Sequence, residues 1–97
     1  MTLEVQNKNL IQYIKSLGYL KSKKLVSALK KFPRQYFVPE SEVSYSYRDI
    51  PLHIGSGQTI SQPSTVVLMT EALDVKNGQK ILEIGSGSGW QAALLSI

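Results

Sequence analysis

The chain has 97 residues and a net charge of +4, a length that allows one small domain with a modest core. It has no cysteine, which excludes disulfides, cysteine-ligated zinc and thiol nucleophiles. With 42% hydrophobic and 19% charged residues, it has the make-up of a folded globular protein and not of a disordered one.

The first residues, Met1 to Lys8, contain no long apolar stretch. Neither a secretory signal nor a membrane span is expected, and the cytoplasm is the default location. Charge is unevenly spread. Up to Arg34 there are eight cations, Lys8, Lys15, Lys21, Lys23, Lys24, Lys30, Lys31 and Arg34, against Glu4 alone, which leaves the rest of the chain three net negative. A basic surface of this kind suits nucleic acid or acidic ligands. The simpler reading is a pair of surface helices with lysine on their outer faces, and no nucleic-acid partner is expected.

Residues 3–17 repeat apolar side chains at helical steps, Leu3, Leu10, Ile11, Ile14 and Leu17, and Gly18 suits a left-handed stop. Ser22 can cap a second helix that presents Leu25, Val26, Leu29 and Phe32 before Pro33 ends it. Two such helices form a hairpin. A helix-turn-helix reader of DNA is disfavoured by the long loop and by the few base-reading side chains on the second helix. Residues 34–60 are rich in turns, with short extended pieces near Leu52–Ile54 and Thr59–Ile60. Pro63 fits the first position of a third helix, in which Val66, Val67, Met69, Thr70 and Leu73 are expected to be largely buried. Asn77-Gly78 marks a turn, and Lys80–Ile84 reads as a strand. Residues 1–50 are therefore assigned to a helical segment with a turn-rich connection, and 51–97 to the first part of a second unit. Doubly wound domains usually need about 150 residues or more, and one strand makes no sheet, so the chain is expected to be the N-terminal part of a longer protein.

The strand leads into Glu83-Ile84-Gly85-Ser86-Gly87-Ser88-Gly89 and then a helix. Gly85 allows a sharp turn, Gly87 leaves the backbone open to a ligand, and Gly89 allows the helix to pack closely. A dinucleotide fingerprint needs its third glycine one residue later, where Trp90 stands, and a phosphate loop needs a Gly-Lys-Ser/Thr ending that is absent. Gly-x-Gly-x-Gly after an acidic strand end is the form seen in S-adenosylmethionine-dependent methyltransferases.

A second motif is more specific. Pro51-Leu52-His53-Ile54-Gly55-Ser56-Gly57-Gln58-Thr59-Ile60-Ser61-Gln62-Pro63, with Arg34-x-x-Phe37-Val38-Pro39 before it and Met69-Thr70-Glu71-Ala72-Leu73 after it, closely resembles the protein-L-isoaspartate O-methyltransferase family. The segment Ile81–Ala93 resembles the same family's first cofactor motif, so four blocks in order cover nearly all of residues 34–97. Ser64 and Trp90 depart from that pattern, standing where relatives often carry a larger residue and a tyrosine.

The resemblance implies an α/β, Rossmann-like S-adenosylmethionine-dependent methyltransferase fold, here its N-terminal part preceded by a helical segment. It implies methyl transfer from S-adenosylmethionine to the free α-carboxylate of L-isoaspartyl residues in damaged proteins and peptides, the ester then closing to a succinimide. By the same resemblance Ser61 is the catalytic residue, and Thr59, Ile60, Ser61, Glu83, Gly85, Ser86, Gly87 and Gly89 bind the cofactor. No metal is expected, because His53 is the only histidine and one ligand makes no metal site. His53 is read as a loop residue. Rival readings are a methyltransferase for another acceptor and a basic nucleic-acid-binding module. The ribose, adenine and C-terminal substrate pockets fall outside these residues, so the 97-residue chain alone is expected to be inactive.

Overall fold

The structure is a computed structural model, and it describes residues 1–83, 85 and 87–96. Helix α1 spans Leu3–Ser16. The Thr2 hydroxyl accepts from the Val5 N–H at 3.2 Å, and Gly18 turns left-handed at φ +79° just beyond the end. Helix α2 spans Lys23–Lys31, and the Ser22 hydroxyl accepts from Leu25 N–H at 3.0 Å. Both caps satisfy N–H groups that a helix start otherwise leaves unpaired, an effect of about 1 kcal/mol each. A distant side chain adds to the second cap, because Glu71 Oε1 accepts from the N–H of Lys21 at 3.0 Å and of Ser22 at 2.8 Å.

Two short 3-10 turns follow, Arg34–Phe37 and Glu40–Tyr45. Strands β1 (Leu52–Gly55) and β2 (Gln58–Ile60) then form an antiparallel hairpin, with Leu52 opposite Ile60 and His53 opposite Thr59. Ser56 and Gly57 turn it, both at positive φ (53° and 70°), as tight hairpin turns require. His53 therefore lies in a strand and is exposed. Helix α3 spans Pro63–Leu73 and α4 spans Trp90–Leu95.

One core joins these elements. Leu10, Ile11 and Ile14 of α1, Leu25, Ala28 and Leu29 of α2, Leu52 and Ile60 of the hairpin, Val66 and Val67 of α3, and Trp90 and Leu94 of α4 are all buried in it. Burying an aliphatic side chain of this size contributes about 1.5–3 kcal/mol.

Besides His53, expected in a loop and found in β1, two expectations need correction. Helix α3 is not largely buried. Val66, Val67 and Thr70 face inward, whereas Met69 and Leu73 are more than half exposed, and Leu68 is exposed beside them. A helix apolar on two faces has only one of them covered here. Second, Lys80–Glu83 do not form a strand, and Ile84 lies outside the described residues. A strand is defined by hydrogen bonds to a neighbour, and the only sheet among the described residues is the β1–β2 hairpin. The observed architecture is mixed helix and strand.

Candidate functional site

The residues around Ser61 are organised by a side chain that composition alone would place on the surface. Arg34 is 1% exposed. It starts the turn after Pro33, whose ring keeps the preceding Phe32 out of the helical region and so ends α2. Its Nη1 donates to the carbonyl oxygens of Ser46 at 2.9 Å and Arg48 at 3.2 Å. Its Nη2 donates to those of Ile50 at 2.8 Å and Ser61 at 3.0 Å. The Trp90 ring lies 5.8 Å from the guanidinium carbon, and Trp90 Nε1 donates to Phe32 O at 2.9 Å. The remaining donor, Arg34 Nε, is buried without a partner among the described residues. Burial lowers the guanidinium from its usual value to about 10, against the opposing pull of Asp49 and Tyr47, so it stays charged at neutral pH. The eight N-terminal cations therefore include one that is structural, while the seven lysines are exposed.

Ser61 follows β2 directly and precedes the N-cap of α3, which is Gln62. It is exposed, and its hydroxyl makes no hydrogen bond to any described residue. Ser61 does not cap α3. Its carbonyl is held by Arg34 while its hydroxyl remains available to a ligand. Thr59 is exposed on the same strand, and Ile60 is buried at 4% in the core. On the N-terminal side of α3, Asp49 Oδ1 accepts from the Ser64 N–H at 2.8 Å. Ser64 is itself buried, so a larger residue there would have to displace its neighbours.

The glycine segment meets this region through the hairpin. A side-chain carbon built on Gly87 would lie 4.0 Å from Ile54 Cδ1 of β1. Gly85 and Gly87 are exposed, and Glu83 is half-buried. Ser86 lies outside the described residues. Gly89, at φ +82°, is the N-cap of α4, and nothing lies within 4 Å of a carbon added there. Its glycine is required by conformation and not by the close helix packing expected of it. Exposed glycines and an exposed serine hydroxyl fit a ligand that lies along the backbone.

The structure brings Thr59, Ile60 and Ser61 into one stretch and Gly87 beside the hairpin. Among the described residues, the three main concave regions do not include them. The concave regions lie elsewhere: one of about 350 Å³ is lined by residues such as Lys24, Thr70, Glu71 and Leu94, and neither Thr59–Ser61 nor Gly85–Gly89 borders it. No cluster of metal-ligating side chains occurs among the described residues. None of the described helices is long and apolar enough to cross a membrane. Trp90 is 3% exposed, in accord with a packing role.

Arg34 is the residue that sequence reasoning missed as part of the site. The available signal was its place at the head of Arg34-x-x-Phe37-Val38-Pro39, directly after a helix-ending proline and among apolar residues.

Comparison with known proteins agrees with the motifs. A family model described as protein-L-isoaspartate(D-aspartate) O-methyltransferase matches residues 5–97. Among curated proteins, the chain is 49% identical over 87 residues to a protein-L-isoaspartate O-methyltransferase of Methanopyrus kandleri, covering 90% of this chain and 38% of that protein. It is 48% identical over 93 residues to one of Dictyoglomus thermophilum, covering 96% and 42%, and 44% identical over 94 residues to one of Ignicoccus hospitalis, covering 97% and 44%. The chain thus spans about two fifths of the length of these relatives.

Proposed function

The chain belongs to the protein-L-isoaspartate(D-aspartate) O-methyltransferase family, and we propose that a protein carrying it moves a methyl group from S-adenosylmethionine to the free α-carboxylate of L-isoaspartyl residues in damaged proteins. The observation that carries this reading is the exposed Ser61 hydroxyl, unpaired among the described residues, on a main chain clamped by Arg34, at the end of a hairpin whose Ile54 reaches Gly87.

Bound S-adenosylmethionine supplies a methyl group already activated by its sulfonium charge. The acceptor carboxylate is ionised at neutral pH, so the chain needs no strong base. Its task is to hold two reactants in line, which can lower a barrier by about 7–11 kcal/mol. In this reading Ser61 donates a hydrogen bond that orients the acceptor oxygen. Thr59 and Ile60 line the cofactor, Gly85, Ser86, Gly87 and Gly89 wrap its methionine end, and Glu83 also belongs to the cofactor site. The reading includes a Rossmann-like sheet in the longer protein. The exposed apolar side chains of Leu68, Met69, Leu73, Ile81 and Leu82 support it, because such positions are normally covered.

The test is methyl transfer from labelled S-adenosylmethionine to a matched pair of peptides, one with L-isoaspartate and one with aspartate, using the longest natural chain that contains these residues. Transfer to the isoaspartyl peptide alone is expected. Equal transfer to both means another acceptor and removes the reading. Salt-sensitive binding to nucleic acid without any transfer would shift the assignment to the lysine-bearing helices. Ser61→Ala is expected to lower kcat by roughly ten- to a hundredfold, the worth of one orienting hydrogen bond, with the unfolding midpoint unchanged.

A further inference from the structure

The geometry points to Arg34 as a positioning residue for this reaction, which ties the open end of the β1–β2 hairpin, and with it Ser61, to the helix that follows the glycine loop. The inference rests on the methyl-transfer reading above. One atom, Nη2, donates both to Ile50 O, just before β1, and to Ser61 O, just after β2. It therefore staples the two ends of the hairpin together. The same guanidinium holds Ser46 O and Arg48 O through Nη1, so three carbonyls of the connection and one of the Ser61 segment share a single rigid group. Its plane neighbours Trp90, the first residue after Gly89. The indole of Trp90 is in turn anchored to Phe32 O, two residues before Arg34. A loop bounded by Arg34 and Trp90 thus links the serine that would orient the acceptor to the segment that would hold the donor.

The choice of side chain fits this role. Four carbonyls approached from different directions suit a planar fork of donors, whereas a lysine offers three donors from one point and cannot serve them all. Relaxing the staple would let Ser61 shift relative to Gly87, and a displacement of about 1 Å can cost on the order of a hundredfold in rate.

The experiment is steady-state kinetics on the longest natural chain and its Arg34→Lys, Ser61→Ala and doubly substituted forms, with an isoaspartyl peptide and S-adenosylmethionine, each protein checked for folding by circular dichroism. Arg34→Lys is expected to lower kcat roughly ten- to a hundredfold while the peptide KM and the cofactor Kd move less than about threefold. Added to Ser61→Ala it should cost little more, because residues that act as one unit are not additive. Full kcat in folded Arg34→Lys, or losses that multiply, would overturn the positioning role and leave the methyl-transfer reading intact. No transfer by the unsubstituted protein would remove both. A measurement on the unsubstituted protein covers the case in which Arg34→Lys does not fold: the Nη proton resonances of Arg34 should shift when the isoaspartyl peptide binds, and signals that stay still would equally overturn the inference.

Discussion

Helices α1 and α2 each begin on a hydroxyl that accepts from their own first turn, whereas Val75–Gly89 holds no helix or strand among its described residues and leaves Leu82 86% exposed. Residues 3–31 are richer in apolar side chains than residues 75–89, but composition is the lesser difference. They differ in the range of the interactions they need. A helix closes its hydrogen bonds within itself, so residues 3–31 carry nearly everything required for their shape, including Thr2, Ser22, Gly18 and Pro33 as punctuation. A strand closes its hydrogen bonds with a neighbour. The apolar run at Ile81-Leu82 has no such neighbour among the described residues. Its surroundings make mostly local bonds, such as Gln79 Oε1 accepting from the Lys76 N–H at 2.9 Å and an exposed ion pair between Lys76 and Asp74, which contributes little; one longer reach is Lys24 Nζ donating to Asn77 Oδ1 at the surface.

The sharpest break in this contrast is at the junction between the regions. Arg34→Met leaves four carbonyls without their donor and is expected to destabilise the fold by about 3–5 kcal/mol, the range for uncompensated loss in a buried polar network. Urea unfolding measures this, and a cost below about 1 kcal/mol would show that the junction is not what holds the halves together. Trp90→Phe keeps an aromatic ring but loses the N–H donated to Phe32 O, so it should cost about 1–2 kcal/mol by the same measurement. Tyr47→Phe removes the phenol that donates to Gln35 Oε1 at 2.7 Å and should cost about 1 kcal/mol at neutral pH. Burial raises the Tyr47 phenol above its usual 10.0. The unfolded chain therefore ionises first, and the advantage of the unsubstituted protein should be complete below about pH 10 and fade as pH rises through the folded value. Unfolding curves of both proteins between pH 7 and 11.5 check that sign. The smallest effect belongs to Leu82→Asn, which should stay within about 0.5 kcal/mol in the 97-residue chain. In a longer natural chain that covers the segment, the same change should cost about 2–4 kcal/mol. Equal small effects in both would leave Leu82 exposed in either protein and remove one support for a Rossmann-like sheet.

Much of the site was legible as motif and little of it as geometry. The Thr59-Ile60-Ser61 stretch and the glycine series stand out in the sequence. The inward turn of Ile60 follows from its pairing with Leu52, and local pattern does not specify which face of a three-residue strand is covered. Ser61 lies one residue outside the helix cap, where Gln62 stands instead, and that single-residue difference frees its hydroxyl. Met69 and Leu73 were expected to be buried because they are apolar and helical. Hydrophobicity states that a face wants cover, but not that cover is present.

From the sequence alone followed the positions of the helices, the short extended pieces near Leu52–Ile54 and Thr59–Ile60, the glycine segment and the family, because each is written in short-range spacing: helical repeats, caps, Pro–Gly punctuation and contiguous motifs. Only the tertiary structure decided that Arg34 is buried, that it joins Ile50, Ser61 and Trp90, and that Gly87 adjoins Ile54. A cation on the surface and one in the core look alike in sequence, and what separates them is which distant carbonyls the fold brings within reach.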